Sequence, residues 1–266
     1  MRQRDPSSTP ILVSAPSKFS WIALGAGAYL AFLLTLFPAS TAYRWFAPDS
    51  LRLAGIEGTL WSGRALLGSV GRFGLNEIQW RLQPWPLLLA RIGGQVQARL
   101  ANGFLETEIE ATFTETTLRN LRASISLDGL QELLPLGGIE GYVSAELSEL
   151  RIQDRWPVGA TGEIRLGELE VPLIFTPSSD SLIALGNYRI RFVDSSNGVL
   201  VGNFEDQGGP LEVSGSLRLS PDRAYVIEGV VRTRPEAPVE LSQGLEFMTA
   251  PPDASGQRAF SLSGSL

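Results

Sequence analysis

The chain has 266 residues, 44% of them hydrophobic, a formal net charge of −6, and neither cysteine nor histidine. Without a thiol or an imidazole it has no disulfide, no cysteine nucleophile, no Ser-His-Asp triad, no His-Glu-x-x-His zinc site and no imidazole pH switch. A binding, structural or assembly role is therefore favoured over an enzyme, and no cofactor or metal is expected.

The N-terminal region reads as a membrane segment. Residues 1–18 form a short tail with Arg2, Arg4 and Lys18 against Asp5, so the acidic excess of the chain lies beyond it. Residues 19–43 carry no charge, and the run from Trp21 to Phe37 is almost continuously apolar. About 20 such residues at ~1.5 Å rise cross a ~30 Å hydrocarbon layer. Trp21, Tyr43 and Trp45 stand where interfacial aromatics belong, and the basic tail predicts a cytoplasmic N-terminus. A cleavable signal peptide is the competing reading, with Ser40-Thr41-Ala42 at the cleavage position, but the apolar run exceeds the usual length of such a core. In either case the bulk of the chain is exported. Gly25-Ala-Gly27 gives no Gly-x-x-x-Gly helix-pairing pattern.

After a juxtamembrane connector at 44–54, residues 55–266 read as strand after strand. Apolar residues recur with period two, as in Val96/Ala98/Leu100, Leu105/Thr107/Ile109/Ala111, Leu121/Ala123/Ile125, Val143/Ala145/Leu147, Tyr188/Ile190/Phe192, Leu211/Val213/Gly215/Leu217 and Phe260/Leu262. Such alternation buries one strand face and solvates the other, which predicts antiparallel sheet. Turn signals stand at Gly93-Gly94, Asn102-Gly103, Asp128-Gly129, Asn197-Gly198, Gln207-Gly-Gly-Pro210 and Pro221-Asp222. Thr117–Arg122 and Leu130–Leu134 read as single helical turns, and Pro238–Leu245 as a short helix or loop. The predicted fold is mostly β: one N-terminal transmembrane helix, then an elongated, curved antiparallel β-sheet or sandwich. Gly162-Glu-Ile-Arg-Leu166, Gly215-Ser-Leu-Arg-Leu219 and Gly264-Ser-Leu266 echo one another, either as traces of repeated hairpins or as a pattern common to β proteins.

Signatures of chemistry are sparse. Gly63-Arg-Ala-Leu-Leu-Gly68 lacks the Lys-Ser/Thr of a phosphate-binding loop. Glu106, Glu108 and Glu110 alternate on a strand, which places them on its solvated face. No Asp-x-Asp-x-Asp-Gly calcium loop occurs, and no basic stripe for nucleic acid. A hydrolase built on carboxylates would need two inward acids about 5–10 Å apart.

The sharpest local feature is aromatic. Trp61, Trp80 and Trp85 lie close together in sequence, and Gly58 and Gly63 flank the first of them. These glycines permit tight bends or close strand approach, so the segment reads as a first hairpin pinned by a tryptophan. Pro84 and Pro86 interrupt the strand that follows. Gly58, Thr59, Trp61, Ser62, Gly63, Trp80, Pro84 and Trp85 are the candidate residues, either for packing or for contact with a partner.

At these residues the chain resembles protein N of the bacterial type II (general) secretion pathway. Gly58-Thr-Leu-Trp-Ser-Gly-Arg-Ala65 is similar to that family's Gly-Thr-x-Trp-Ser-Gly-x-Ala, Trp80-Arg-Leu-Gln-Pro84 to its Trp-x-x-x-Pro block, and Asp206-Gln-Gly-Gly-Pro-Leu-Glu-Val-Ser-Gly215 to its Gly-Pro-Leu-x-x-x-Gly segment. The resemblance implies a single-pass inner-membrane protein with a periplasmic β-rich domain. It also implies an accessory, non-catalytic role in exporting folded proteins across a Gram-negative outer membrane, with other secretion components as partners. No catalytic residue is carried over. The layout also resembles that of AsmA-like proteins, which implies a β-trough that conducts lipid between membranes; concavity of the sheet would discriminate the two.

Overall fold

The computed structural model describes residues 25, 27–29, 32, 33, 35–47, 51–70, 73–86, 90–100, 102–130, 138–172, 182–193 and 198–265. Helix α1 (Ala39–Phe46) precedes strands β1 (Leu51–Gly58), β2 (Ser62–Val70), β3 (Phe73–Gln83), β4 (Ile92–Leu100), β5 (Gly103–Ala111), β6 (Glu115–Ser126), β7 (Glu140–Gln153), β8 (Trp156–Pro172), β9 (Leu182–Val193), β10 (Leu200–Asp206), β11 (Leu211–Leu219) and β12 (Ala224–Thr233). Helix α2 (Val239–Met248) and strand β13 (Arg258–Ser265) follow. The thirteen strands form one antiparallel meander in which each pairs with its sequence neighbours. At about 4.8 Å per strand step the sheet extends on the order of 58 Å across its strands. Of the two forms expected, the described residues build the single sheet and no second one.

The alternation of residue type translates directly into two unlike faces. On one, Ala65, Ile78 and Ala98 form a buried cluster under Leu53, Ile56 and Trp80. A larger cluster of Leu121, Leu147, Ala160, Phe192 and Leu200 follows. Ala98 stands directly opposite Leu105, which packs on the larger cluster, so the two clusters share one continuous apolar face. The other face carries cross-strand ion pairs, among them Arg99–Glu77, Arg91–Glu110, Arg189–Glu205 and Arg232–Glu212. Glu106, Glu108 and Glu110 belong to this face, and Glu110 pairs with both Arg91 and Arg119.

A single layer has no facing sheet to cover its apolar side, and no large described side chain reaches full burial. The chain meets this by laying aromatic rings across glycines of the adjacent strand. Trp80 faces Gly63, Phe192 faces Gly202, Phe204 faces Gly215, Phe260 faces Gly229 and Tyr225 faces Gly264. A Cβ built on any of these glycines would run into the opposing ring. The Gly-x-Leu-x-Leu echo thus gains a physical reason at Gly215 and Gly264: each glycine is the seat for a ring from its neighbour.

Several expectations require correction. Gly93-Gly94 is not a turn but lies buried inside β4, opposite Glu110 and Ile109. A Cβ on Gly94 would approach the Arg81 carbonyl oxygen to 2.6 Å, so close strand approach, not chain reversal, calls for glycine there. Thr117–Arg122 is not a helical turn but the middle of β6, held by neighbours on both sides that override its local propensity. The sheet already starts at Leu51, inside the segment 44–54 read as a connector. Of the two readings of Pro238–Leu245, the short helix is the one found, as α2. Asp128-Gly129 lies in a 3-10 turn, Leu127–Leu130. Asn197 and most of Leu130–Leu134 lie outside the described residues, as does much of the segment 19–43. No helix among the described residues is long and apolar enough to cross a membrane.

Candidate functional site

The first motif builds the turn between β1 and β2. Gly58 closes β1 with a φ of +90°, and a Cβ there would lie 2.6 Å from the Ser62 carbonyl oxygen. A side chain would be strained in both respects, which is why glycine stands at this position. Thr59 then closes the reversal: its N–H donates to the Ser62 carbonyl at 2.9 Å, and its hydroxyl accepts from the Ser62 N–H at 3.2 Å. The turn residue Leu60 reaches two ways. Its N–H donates to the Phe37 carbonyl at 2.8 Å, and its own carbonyl accepts from the Trp80 Nε1–H at 3.1 Å. Pro38 bridges Thr59 antiparallel.

Trp80, rather than Trp61, supplies the pinning ring. It lies over Gly63, so the Trp-Ser-Gly block and the later Trp-x-x-x-Pro block are two halves of one contact. Trp61 is half-buried and contributes its carbonyl, which accepts from the Leu82 N–H at 2.6 Å. Gly58, Thr59, Trp61, Ser62, Gly63 and Trp80 are therefore brought together at one end of the sheet. Pro84 and Trp85 are not part of this cluster; both are exposed on the next turn at the same end, between β3 and β4. An open depression of about 370 Å³ over Gly58, Ser62 and Gly63 is bordered by Glu57 and Arg64, an exposed ion pair at 2.6 Å.

The segment before β1 also runs along the outer edge of that strand. The Tyr43 hydroxyl donates to the Leu51 carbonyl and accepts from the Leu53 N–H, both at 3.1 Å. Together with the Phe37 and Pro38 contacts this satisfies edge groups that would otherwise invite another strand.

The second motif builds the β10–β11 turn at the opposite end. Asp206 is only 8% exposed at its side chain and accepts three hydrogen bonds. They come from the Val213 N–H at 2.9 Å, the Gly208 N–H at 3.1 Å and the Arg234 guanidinium at 2.7 Å. Arg234 also donates to the Gly209 and Leu211 carbonyls, at 2.7 and 3.2 Å. Burial by itself would raise the Asp206 pKa, but these donors outweigh it and hold the carboxyl below its ordinary value. Tyr188, opposite Asp206 on β9, is pushed up to about 12, first by burial and then by the Asp206 charge, with Arg234 opposing. Sequence reasoning located the Gly-Pro-Leu segment but not Arg234 or Tyr188, which reach it from just past β12 and from β9 and carry no local signal.

Among the described residues no group of three or more Asp or Glu is placed to hold a metal ion. The acids within the two motifs serve cross-strand pairing and turn closure. The class so defined is a single-layer antiparallel β-protein whose motif residues are junctions: one ties the segment after the apolar N-terminal run to the sheet, the other locks a hairpin.

The model of the family described as type II secretion system (T2SS), protein N, matches residues 49–261, and the chain belongs to that family. It is 27% identical over 240 residues to a type II secretion system protein N of Aeromonas hydrophila, covering 86% of this chain and 91% of the relative. It is 25% identical over 231 residues to another from Vibrio cholerae serotype O1, covering 82% and 86%. No solved structure matches the chain.

Proposed function

We propose that this protein is a non-catalytic accessory component of the type II secretion machinery. In this reading it is held in the inner membrane by a single N-terminal span, with a cytoplasmic N-terminus. Its β-sheet stands in the periplasm and takes part, with other secretion components, in exporting folded proteins across the outer membrane. The family match over 49–261 carries the proposal. The junction at Phe37, Pro38 and Leu60 supports it, because it fastens the end of the apolar run to the sheet. The test is recovery of partners with the full-length protein from detergent-solubilised membranes, combined with a deletion strain. Secretion components should co-purify, and secreted cargo should accumulate in the periplasm of the deletion strain. Unimpaired export in that strain overturns the role. A C-terminal reporter active in the cytoplasm overturns the orientation.

One observation favours a second reading. The apolar face has no second layer among the described residues, and a large apolar surface of this kind marks a partner or ligand. An AsmA-like trough that conducts phospholipid would use that face. Phospholipid recovered in fixed stoichiometry, with no secretion component, would select this reading over the first.

A further inference from the structure

The meander places the β1–β2, β3–β4 and β5–β6 turns at one end of the sheet. The apolar segment that includes Tyr29, Phe32, Leu33 and Leu36, all exposed, enters at this same end, because Phe37 and Pro38 bond to Leu60 and Thr59 of the first turn. The next two turns each present an aromatic ring to solvent: Trp85 at 77% exposure and Phe113 at 94%. Farther along the same end the pattern changes. The β7–β8 turn carries Asp154-Arg155, and the β11–β12 turn carries Pro221-Asp222-Arg223. Aromatic tips thus cluster beside the apolar segment, and charged tips lie away from it.

We propose that Trp85 and Phe113 rest in the headgroup region of the membrane that holds the N-terminal segment, so that the first six strands stand on the lipid surface through their turns. This rests on the membrane-anchor reading given above. The three turns span about 20 Å at the usual strand spacing, a reach that a single bilayer surface accommodates. A twist of roughly 20–25° per strand then rotates the later turns off that plane, which fits their charged composition. Trp is a side chain that partitions to the membrane interface, and Phe adds apolar area there. The apolar tips rather than a basic cluster mark this end: Arg64 is paired with Glu57, Arg91 and Arg119 are both paired with Glu110, and Arg81 stands exposed on β3 beside them. The contact is individually weak, but the anchor keeps these tips beside the surface at high effective concentration.

The absence of cysteine makes the test direct. Single cysteines replace Tyr29, Pro84, Thr114 or Asp222 in the full-length protein, which is spin-labelled and reconstituted in vesicles of phosphatidylethanolamine and phosphatidylglycerol. Collisional access to oxygen and to a water-soluble nickel chelate is then compared. Labels at 84 and 114 should favour oxygen severalfold over the label at 222, and the Trp85→Ala/Phe113→Ala double variant should abolish that preference. Raising the ionic strength should leave it unchanged. If the label at 29 reports lipid while those at 84 and 114 match 222, the docking proposal is overturned and the anchor stands; the exposed rings then point to a protein partner. If the label at 29 is also open to water, the anchor reading itself fails, and the docking with it.

Discussion

The two motif turns lie at opposite ends of the sheet and are fixed by different forces. At β1–β2 the fixing contacts are neutral: a ring over Gly63, an indole N–H on the Leu60 carbonyl, and backbone bonds to Phe37. At β10–β11 they are ionic, with Asp206 held by Arg234 and by two backbone N–H groups. The first turn joins the end of the apolar N-terminal run to the sheet, and it does so with uncharged groups. The second joins only strands, and a carboxylate there gathers donors from β11 and from beyond β12 into one point. The two hairpin turns therefore have different sensitivities, one to shape and the other to pH.

Trp80→Ala should break the comparison hardest. It removes a half-buried ring and the partner of the Leu60 carbonyl, and should destabilise the domain by about 3 kcal/mol in a denaturant titration. Gly63→Val should cost roughly 1–3 kcal/mol by overpacking against that ring, with no dependence on pH. An unchanged midpoint for Gly63→Val would mean that the ring is free to move away, and the contact would not be a clamp.

Asp206→Ala strands the Gly208 and Val213 N–H groups and should cost about 2 kcal/mol at neutral pH. Its pH behaviour sharpens the contrast. The folded Asp206 pKa is depressed, so its contribution is complete above the unfolded value of about 4 and disappears as pH falls through the folded value. Wild type and Asp206→Asn should accordingly converge in acid, whereas wild type and Gly63→Val should not. At the alkaline end Tyr188 has the reverse sign. Its folded pKa, raised to about 12, means that stability falls as pH climbs from the unfolded value near 10 towards 12. A Tyr188→Phe variant should lose that alkaline slope in thermal melts. Smallest of all, Arg64→Ala should change stability by less than about 0.5 kcal/mol, because its pair with Glu57 is solvated on both sides.

Much of this was legible in the sequence. Period-two alternation from Val96 to Leu262 identifies strands whatever their neighbours, and Asn102-Gly103 or Pro221-Asp222 can hardly be anything but turns. Gly93-Gly94 misled because glycine serves two purposes that look alike in one dimension, bending a chain and admitting a neighbour. Trp61 drew attention as the pin because it adjoins the glycines in sequence, whereas Trp80 adjoins Gly63 only across the ladder. Arg234 stands 28 residues from Asp206 along the chain, and no spacing rule connects them.

By itself the sequence determined the β character, the absence of imidazole and thiol chemistry, the apolar N-terminal run and the membership that its motif blocks announced. Those properties depend on composition and on local order, which each stretch of chain carries alone. Whether the strands closed on one another as a sandwich or lay out in one layer, which ring met which glycine, and which arginine met Asp206 were decided only by tertiary structure. Each is a question of register between strands, and register is set by the packing of the whole sheet.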